Sequence, residues 1–325
     1  MKLSGRRVLV TGAGGFIGSH LCEVLVAEGA RVRALLRYTS RSDLGPLADL
    51  PPAPRREIEV VWGDLRDEVS VRRALGDCRV VFHLGAVTSV AYSYESPGEF
   101  AATNVMGTTN VLTAARDAGV ERFVHTSTSE VYGTARYVPI DEGHPLQAQS
   151  PYAASKIAAD KMAESFLRTY GLPVVVLRPF NTYGPRQSGR AIVPSPKRDL
   201  TYVKDTVRGF LRAAEEGAAV GQTINLGTGQ MWSVEELVGM IEGVIGRRVE
   251  IVAEEQRKRP ESSEVLELLC DNHKAKRLLG WGPAFTPHQG LDDTARWIRE
   301  HLDRFRDGST ACERAVSMTG REAFG

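Results

Sequence analysis

The chain has 325 residues, of which 42% are hydrophobic and 25% are charged, and its formal net charge is +1. These proportions are typical of a globular protein, and the length suits one large domain or two modest ones. A net charge near zero creates no field that would attract nucleic acid or a membrane surface, so we expect neither as a partner.

The cysteines are far apart and include no CxxC pair, which argues against a zinc site and against a disulfide framework. They are Cys22, Cys78, Cys270 and Cys312. No run of about 18 apolar residues could span a bilayer, and the first residues lead directly into a predicted strand without the apolar segment of a signal peptide. We therefore expect a cytoplasmic protein that holds no metal.

The first half of the chain alternates between two patterns. Short apolar runs predict strands at 8–10, 32–36, 58–61, 80–82, 122–125 and 173–177. Apolar residues at helical spacing predict helices at 16–28, 69–75, 100–118 and 152–170. Strands that alternate with helices predict the α/β class, with a doubly wound parallel sheet of the Rossmann type and right-handed crossovers.

The alternation weakens after about Phe180. Residues 181–199 are rich in Gly, Pro and Arg and are predicted to form a loop. Further helices are predicted at 206–216, 234–245, 272–279 and 291–302. We predict three parts: a dinucleotide-binding Rossmann domain over 1–180 with later segments interleaved, a smaller α/β substrate lobe over 181–305, and a disordered tail over 306–325.

The segment TGAGGFIG follows the first predicted strand and opens the first predicted helix. Gly12 permits a tight turn, Gly15 lets the backbone approach a pyrophosphate, and Gly18 allows the helix to pack closely on the strand. Phe16 and Ile17 begin that helix, whose free N–H groups attract phosphate. The pattern predicts a dinucleotide site; the alternative is a glycine-rich turn of an unrelated α/β protein.

The second predicted strand ends in Leu36, Arg37 and Tyr38, with no carboxylate placed for a ribose 2′-hydroxyl. An arginine can pair with a 2′-phosphate, so Arg37 favours NADP over NAD, although an NAD enzyme could lay the same side chain over the adenine face. Asp64, after the third strand, is a candidate for the adenine edge. Its alternative role is to cap the helix that follows.

The segment SPYAASK places Tyr152 and Lys156 four residues apart, on one face of a predicted helix. A free tyrosine has a pKa near 10 and is a poor base at neutral pH. A nearby ammonium group and the nicotinamide cation would lower the pKa of Tyr152. Tyr152 could then accept a proton from a substrate hydroxyl while hydride leaves the same carbon. The alternative is an ordinary contact on a helix surface.

These segments together resemble the extended short-chain dehydrogenase/reductase family. The resemblance rests on TGAGGFIG, Asp64, HLGA at 83–86, Asn104, HTSTSEVYG at 125–133 and YAASK at 152–156. It implies a Rossmann domain with a nucleotide-sugar lobe, and a homodimer that pairs the helices 104–118 and 152–170 in a four-helix bundle. It also implies further cofactor contacts from Leu65, Leu84, Ala86, Asn104, Tyr152 and Lys156.

The triplet Thr128, Ser129 and Glu130 narrows the reaction that the resemblance implies. Thr128 matches the residue that hydrogen-bonds the sugar C4 oxygen in this family. Sugar 4-epimerases have small residues at the next two positions, whereas a carboxylate at Glu130 resembles the Thr-Ser-Glu of GDP-mannose 4,6-dehydratases. Ser129 or a bound water would then supply a proton to the leaving group. We therefore assign Thr128, Ser129, Glu130, Tyr152 and Lys156 to catalysis.

Longer segments are similar to UDP-N-acetylglucosamine 4,6-dehydratases of the legionaminic-acid type. Those segments are 91–97, 125–142, 144–156, 178–187, 198–205, 224–229, 256–265 and 278–281. The alternatives are a UDP-glucuronate decarboxylase, which shares a Thr-Ser-Glu pattern, a nucleotide-sugar 4-epimerase, and an inactive cofactor-binding scaffold of the same fold. The resemblance implies Thr128, Asn181, Arg186 and Arg259 as substrate contacts. The chain is shorter than this family near 194–197, where part of the nucleotide pocket would lie.

Overall fold

The computed structural model describes residues 1–39, 42–188, 197–249, 265 and 267–306. Its strands, numbered along the chain, are β1 (Arg7–Thr11), β2 (Arg31–Arg37), β3 (Glu59–Gly63), β4 (Val80–His83), β5 (Arg122–Thr126), β6 (Val174–Pro179), β7 (Asn181–Tyr183), β8 (Lys197–Tyr202), β9 (Thr223–Leu226), β10 (Met231–Ser233) and β11 (Glu267–Leu268). Seven of them form one parallel sheet in the order β3-β2-β1-β4-β5-β6-β9. The predicted α/β fold with a doubly wound parallel sheet is confirmed.

The helices are also numbered along the chain, and those that belong to the two cores cover the main sheet on both faces. In chain order the helices are α1 (Phe16–Ala27), α2 (Pro52–Arg56), α3 (Glu68–Leu75), α4 (Val90–Glu95), α5 (Pro97–Phe100), α6 (Gly107–Asp117), α7 (Pro151–Tyr170), α8 (Val203–Glu215), α9 (Val234–Ile245), α10 (His273–Leu279), α11 (Pro287–Glu300) and α12 (Asp303–Arg306). One core packs α1, α8 and α10 against the sheet, and a second packs α3, α6 and α7 against its other face.

Strand β1 shows why the central strands read as continuous apolar runs. Val8 and Val10 are in the first core, whereas Leu9 between them is in the second. Successive strand side chains point to opposite faces, and both faces of this sheet are covered by helices. Every residue from Val8 to Thr11 is therefore buried.

The helix predicted at 100–118 is present, but it is not regular throughout. Helix α5 ends at Phe100, a π-helical turn occupies Ala101–Met106, and α6 follows. Turns of this kind are rare and often occur at functional sites. Helix α7 is regular: the Ser150 hydroxyl caps it by accepting a hydrogen bond from the Ala153 N–H at 3.1 Å, and Gly171 ends it.

A second, smaller sheet is built around β8. Strand β10 pairs with β8 in antiparallel orientation, whereas β7 and β11 pair with it in parallel. The prediction of a loop over 181–199 is therefore wrong at both ends, where β7 and the start of β8 lie. Strands of three residues are too short to show an alternating pattern, and β8 begins with the polar triplet Lys197, Arg198 and Asp199.

The later helices lie close to where the periodicity predicts them, and β9 joins the main sheet as a later segment interleaved with the first half. The division into domains at 180 stays a prediction. The shortened stretch at 194–196 and the tail from 307 lie outside the described residues.

Three cysteines, Cys22, Cys78 and Cys270, are free and buried, while Cys312 lies outside the described residues. In the described ranges no helix combines the length and apolar character needed to cross a membrane. The same ranges contain no group of three or more His, Cys, Asp or Glu side chains that could hold a metal ion.

Asp205 at the start of α8 anchors the segment that leads into α11. Its side chain is 1% exposed, and it accepts hydrogen bonds from the backbone N–H groups of Ala284 at 2.9 Å and Phe285 at 3.2 Å. Its backbone carbonyl accepts a hydrogen bond from the buried Trp281 indole at 2.9 Å. One buried residue therefore satisfies three donors from a segment about 80 positions away.

We expect Asp205→Ala to lower the free energy of unfolding by about 3 kcal/mol, because it leaves buried N–H groups without an acceptor. Urea denaturation would measure the change. The control is Asp292→Ala, which removes an exposed carboxylate paired with Arg296 and should cost less than about 0.5 kcal/mol. Equal losses in the two variants would contradict the anchoring role.

Candidate functional site

A cleft of about 680 Å³ opens at the carboxyl ends of the parallel strands. It extends from the ends of β2 and β3, past the turn after β1, to the ends of β5 and β6. The strand order reverses at β1, whose neighbours β2 and β4 lie on opposite sides. Open α/β sheets bind their ligands at such a reversal, and this volume lies in the range of small-molecule sites.

The glycine turn leaves no room for side chains. Gly12 has φ +71°, and a Cβ atom there would lie 2.7 Å from the backbone nitrogen of Gly85. A Cβ atom on Gly18 would overlap the carbonyl oxygen of Gly12. The turn, the segment after β4 and helix α1 are thus packed backbone to backbone, as the spacing of the motif predicts.

The first turn of α1 borders the cleft through Gly15, Phe16 and Ile17. Gly15 is the N-cap residue, and no side chain caps the helix there. The first N–H groups of a helix have no partner within the helix and attract anions. The N-terminus of α1 has no side-chain cap and lies next to a turn whose glycines leave no space for side chains. This arrangement fits the pyrophosphate of a dinucleotide.

Charged side chains surround the far end of the cleft. Arg37 lies 3.9 Å from Asp64 and 3.7 Å from Glu99, and its side chain is 62% exposed. Arg66 binds Asp64 through two nitrogens at 3.0 and 2.6 Å, and these hydrogen bonds lower the pKa of Asp64. The cap of α3 is Asp67, not Asp64, so the alternative role considered for Asp64 is excluded.

Most of the predicted cofactor residues border this cleft. The lining includes Gly12, Gly15, Phe16, Ile17, Gly18, Arg37, Asp64, Leu65, Leu84, Ala86 and Tyr152. Asn104 and Lys156 do not line it. The Asn104 amide accepts a hydrogen bond from the Val87 N–H at 2.8 Å and donates to the Val87 carbonyl and to the Ser155 hydroxyl. The Asn104 amide thus supports the wall of the cleft from behind, and it is not placed for direct contact with a cofactor.

Tyr152 and Thr128 meet at the inner end of the cleft, where both line its wall. Burial raises the pKa of Tyr152, and its hydrogen bond with Thr128 only partly offsets that effect. The nearby charges of Glu130 and Asp160 raise the pKa of Tyr152 further. In the protein without cofactor, burial and the two carboxylates therefore hold the pKa of Tyr152 above its ordinary value. That the lysine ammonium and the nicotinamide cation together lower this pKa stays a prediction.

Lys156 lies one turn along α7 from Tyr152 and is 5% exposed. Its Nζ atom donates a hydrogen bond to the carbonyl oxygen of Thr126 at 2.6 Å. Burial lowers the pKa of Lys156 from 10.5 to about 8, and the charge of Asp160 raises it in part. The predicted arrangement of Tyr152 and Lys156 on one helix face is therefore present, with the ammonium held on the end of β5.

The turn after β5 separates the two remaining members of the predicted triplet. Ser129 is buried and lines the cleft, whereas Glu130 is half-buried and does not border it among the described residues. The Glu130 N–H donates to the Thr128 hydroxyl at 3.2 Å, which caps the short helix Ser129–Tyr132. The Glu130 carboxylate acts electrostatically on Tyr152, so both groups belong to one corner of the site.

The predicted substrate contacts have three different outcomes. Asn181 lines the cleft, and its Nδ2 atom is buried without a hydrogen-bond partner in the described structure. Arg186 does not reach the cleft: it donates to the Glu23 carboxylate on α1 at 2.7 Å, with its side chain 9% exposed. The assignment of Arg186 to the substrate is therefore not supported by the geometry, because α1 holds the guanidinium. Arg259 lies outside the described residues.

The structure also reveals a buried residue that the sequence analysis did not identify. Asp160 on α7 is completely buried and binds His125, Ser127 and Arg178 directly behind the corner of Tyr152 and Lys156. It follows Lys156 by four residues and Tyr152 by eight, a spacing that places all three on one helix face. That spacing was the available signal.

A sequence profile described as GDP-mannose 4,6 dehydratase matches residues 9–195 and 194–294, which is most of the chain. The chain belongs to the extended short-chain dehydrogenases/reductases. Within this family, the chain is 35% identical to a UDP-glucose 4-epimerase of Mycolicibacterium smegmatis over 317 residues, covering 90% of this chain and 98% of that protein. It is 34% identical to a dTDP-glucose 4,6-dehydratase of Streptomyces griseus over 319 residues, covering 90% and 94%.

Solved structures of the family share the fold. The crystal structure of a dTDP-glucose 4,6-dehydratase from Streptomyces venezuelae, determined with NAD bound, matches with a TM-score of 0.78 and 31% identity. The match covers 91% of this chain and 98% of that one. Epimerases and dehydratases are thus comparably similar to this member of the family.

The Arg186–Glu23 pair can be tested with a double-mutant cycle of Glu23→Gln and Arg186→Gln. We expect a coupling of about 1 kcal/mol in the free energy of unfolding, since the guanidinium is buried against its partner. The exposed pair Asp292 and Arg296 is the control and should couple by less than about 0.5 kcal/mol. If positions 23 and 186 show no coupling, Glu23 does not hold the Arg186 side chain, which would then be free to reach the cleft.

Proposed function

We propose that this protein is a nucleotide-sugar 4,6-dehydratase and that its substrate is UDP-N-acetylglucosamine. The observation that supports the reaction is the corner formed by Tyr152, Thr128 and Glu130. A tyrosine hydrogen-bonded to a threonine lies within electrostatic reach of a carboxylate that follows in the same turn. Oxidation at one sugar carbon and proton removal at the next require such a pair of groups. The choice of sugar nucleotide rests on the segment similarities alone.

The bare start of α1 and the glycine turn would hold the pyrophosphate of a nicotinamide dinucleotide, and Arg37 and Asp64 would border its adenosine. When bound, the nicotinamide supplies a hydride acceptor for oxidation at C4, a hydride donor for reduction at C6, and a positive charge beside the site. Arg37 favours NADP, because its guanidinium is exposed and could turn from Asp64 and Glu99 to a 2′-phosphate.

Tyr152 begins the proposed reaction by accepting the proton of the sugar C4 hydroxyl. Thr128 hydrogen-bonds Tyr152 and would orient the C4 oxygen towards it. In the protein alone the phenol is held protonated by burial, so it becomes an effective base only when positive charge gathers beside it. Lys156 supplies one such charge from the end of β5.

A ketone at C4 makes the C5 proton acidic. Glu130, which does not border the cleft in the protein alone, would turn into it and remove that proton in the second step. The C6 hydroxyl leaves as water after accepting a proton from Ser129 or from a bound water. Once C6 has been reduced, Tyr152 gives its proton to C5, and Glu130 gives the proton that it removed to Ser129 or to the bound water. The sugar has then lost one water and every group of the protein is restored. The Asn181 amide, with its buried Nδ2 atom unpartnered, would donate a hydrogen bond to the substrate.

We further propose that the protein is a cytoplasmic homodimer that pairs α6 and α7 with their copies. In the single chain, Met106 just before α6 is 57% exposed and Tyr170 at the end of α7 is 52% exposed. Apolar side chains at the ends of two neighbouring helices are suited to burial by a partner.

A nucleotide-sugar 4-epimerase is the second candidate, because the Mycolicibacterium smegmatis relative carries that name at comparable identity. An epimerase needs the C4 oxidation and its reversal but no base for C5. The role of Glu130 therefore separates the two candidates.

The test is to incubate the protein with UDP-N-acetylglucosamine and NAD⁺ or NADP⁺ and to follow the sugar by mass spectrometry and proton NMR. We expect loss of one water and a new C6 methyl signal. Glu130→Gln should slow this elimination at least about 100-fold, since it removes the C5 base. Glu121→Gln is the control: it changes an exposed carboxylate paired with Arg6 just before β5 and should leave the rate unchanged.

Inversion at C4 without loss of mass, at equal rates in the Glu130→Gln variant, would contradict the dehydratase and support the epimerase. Tyr152→Phe should abolish both reactions, because each begins with proton transfer from the C4 hydroxyl.

The cofactor preference can be tested with Arg37→Ala. We expect the affinity for NADP⁺ to fall about tenfold and the affinity for NAD⁺ to change less than about twofold, because only the former carries the 2′-phosphate. Fluorescence titration with the reduced cofactors would measure both. Arg31→Ala, at the opposite end of β2, is the control and should affect neither. A similar loss for both cofactors would indicate that Arg37 contacts the adenine.

A further inference from the structure

The carboxylate of Asp160 is completely buried and accepts hydrogen bonds from three side chains. His125 donates to Oδ1 at 3.2 Å, and the Ser127 hydroxyl donates to Oδ2 at 2.8 Å. Arg178 donates to Oδ2 from Nε at 3.2 Å and from Nη2 at 2.9 Å. A buried carboxylate is tolerated only with such a set of donors, so the arrangement is specific.

These bonds attach helix α7 to two neighbouring strands of the main sheet. His125 belongs to β5, Ser127 follows its end, and Arg178 belongs to β6. One turn earlier on α7, Lys156 makes its own bond to the Thr126 carbonyl on β5. Asp160 and Lys156 thus hold the helix at two successive levels, and the position of Tyr152 follows from both.

The same corner contains several buried charges. The charged or titratable groups that face it are Tyr152, Lys156 and Asp160 from α7, His83 from β4, His125 from β5, Arg178 from β6 and Glu130 from the turn after β5. Burial keeps His83 and His125 below their ordinary pKa, so both are neutral at pH 7. Asp160 is bonded to one buried cation, Arg178, and its charge also acts on a second, Lys156.

We propose that Asp160 is a positioning residue that keeps the Lys156 ammonium protonated and fixes its place under Tyr152. The effect on turnover rests on the proposed function, whereas the effect on Lys156 itself does not. Within the part of the chain that the structure describes, no carboxylate is bonded to Lys156, whose ammonium donates to a backbone oxygen. Asp160 is the anion whose charge acts on it within the buried corner.

Without that charge the ammonium would lose its proton more readily. The pKa of Lys156 is already lowered to about 8 by burial, and Asp160 opposes the decrease. Removing an opposite charge at short range lowers such a pKa by about one unit or more. Lys156 would then be largely neutral near pH 7.5, where the proposed reaction needs its charge.

Asp160→Asn tests this directly, because it keeps the shape and an acceptor oxygen but removes the charge. Lys156 has a lower pKa folded than unfolded, so the unfolded chain binds more protons and stability rises with pH through that window. In the variant the pKa of Lys156 in the folded protein is lower still, so the range of pH over which stability rises begins at lower pH. The ratio of the unfolding constants, variant over wild type, should therefore fall about tenfold between pH 6.5 and pH 9.

The matched background is Lys156→Met, which removes the ammonium at similar length. There, Asp160→Asn should give the same ratio of unfolding constants at every pH. A ratio that is already independent of pH with Lys156 present would overturn the proposal and leave Asp160 a purely structural residue. If the ratio still depends on pH in the Lys156→Met background, the proposal is also overturned, because a group other than Lys156 would then cause the pH dependence.

Turnover gives an independent readout. The basic limb of its pH profile should move to lower pH by about one unit in Asp160→Asn. If no substrate is turned over, the proposed function fails while the unfolding series still decides the role of Asp160. If Asp160→Asn does not fold, the double variant Asp160→Asn with Arg178→Met removes both members of the buried pair. The ratio of its unfolding constant to that of the wild type should likewise fall between pH 6.5 and pH 9.

Discussion

The backbone of Gly12 lies against the backbone of Gly85, and no side chain could be placed between them. This contact joins the end of β1 to the segment after β4, and Gly18 brings α1 down onto the same turn. The start of α1 must therefore point at the carboxyl ends of the strands, where the cleft lies. The cleft, the position of the start of α1 at its edge and the packing of the first core all depend on this backbone approach.

The parts of the fold that could be predicted are those that local sequence determines. The apolar runs of β1 to β6 and the long helices α1 and α7 were predicted from their periodicity, because burial on one or two faces leaves a regular pattern. The small sheet around β8 was missed, because its flanking strands span two or three residues. Pairing between such short segments depends on tertiary contacts that no local pattern records.

For the candidate site, motif spacing placed Tyr152, Lys156 and the glycine turn correctly. It could not show where Asn104 and Arg186 bond, because their partners Val87 and Glu23 are distant in the chain. It also could not give the direction of the pKa shift of Tyr152, which burial determines. Chemical identity can be read from a motif, whereas the dielectric surroundings of a group are a property of the whole fold.

The loop after β7 is attached to α1 at two points. Arg186 pairs with Glu23, and the His20 ring bonds to the Pro185 carbonyl at 2.9 Å. Local opening of a protein occurs in cooperative units whose members exchange amide hydrogens together. Because this loop is fastened to the helix that begins at the edge of the cleft, it would open only when α1 itself loosens.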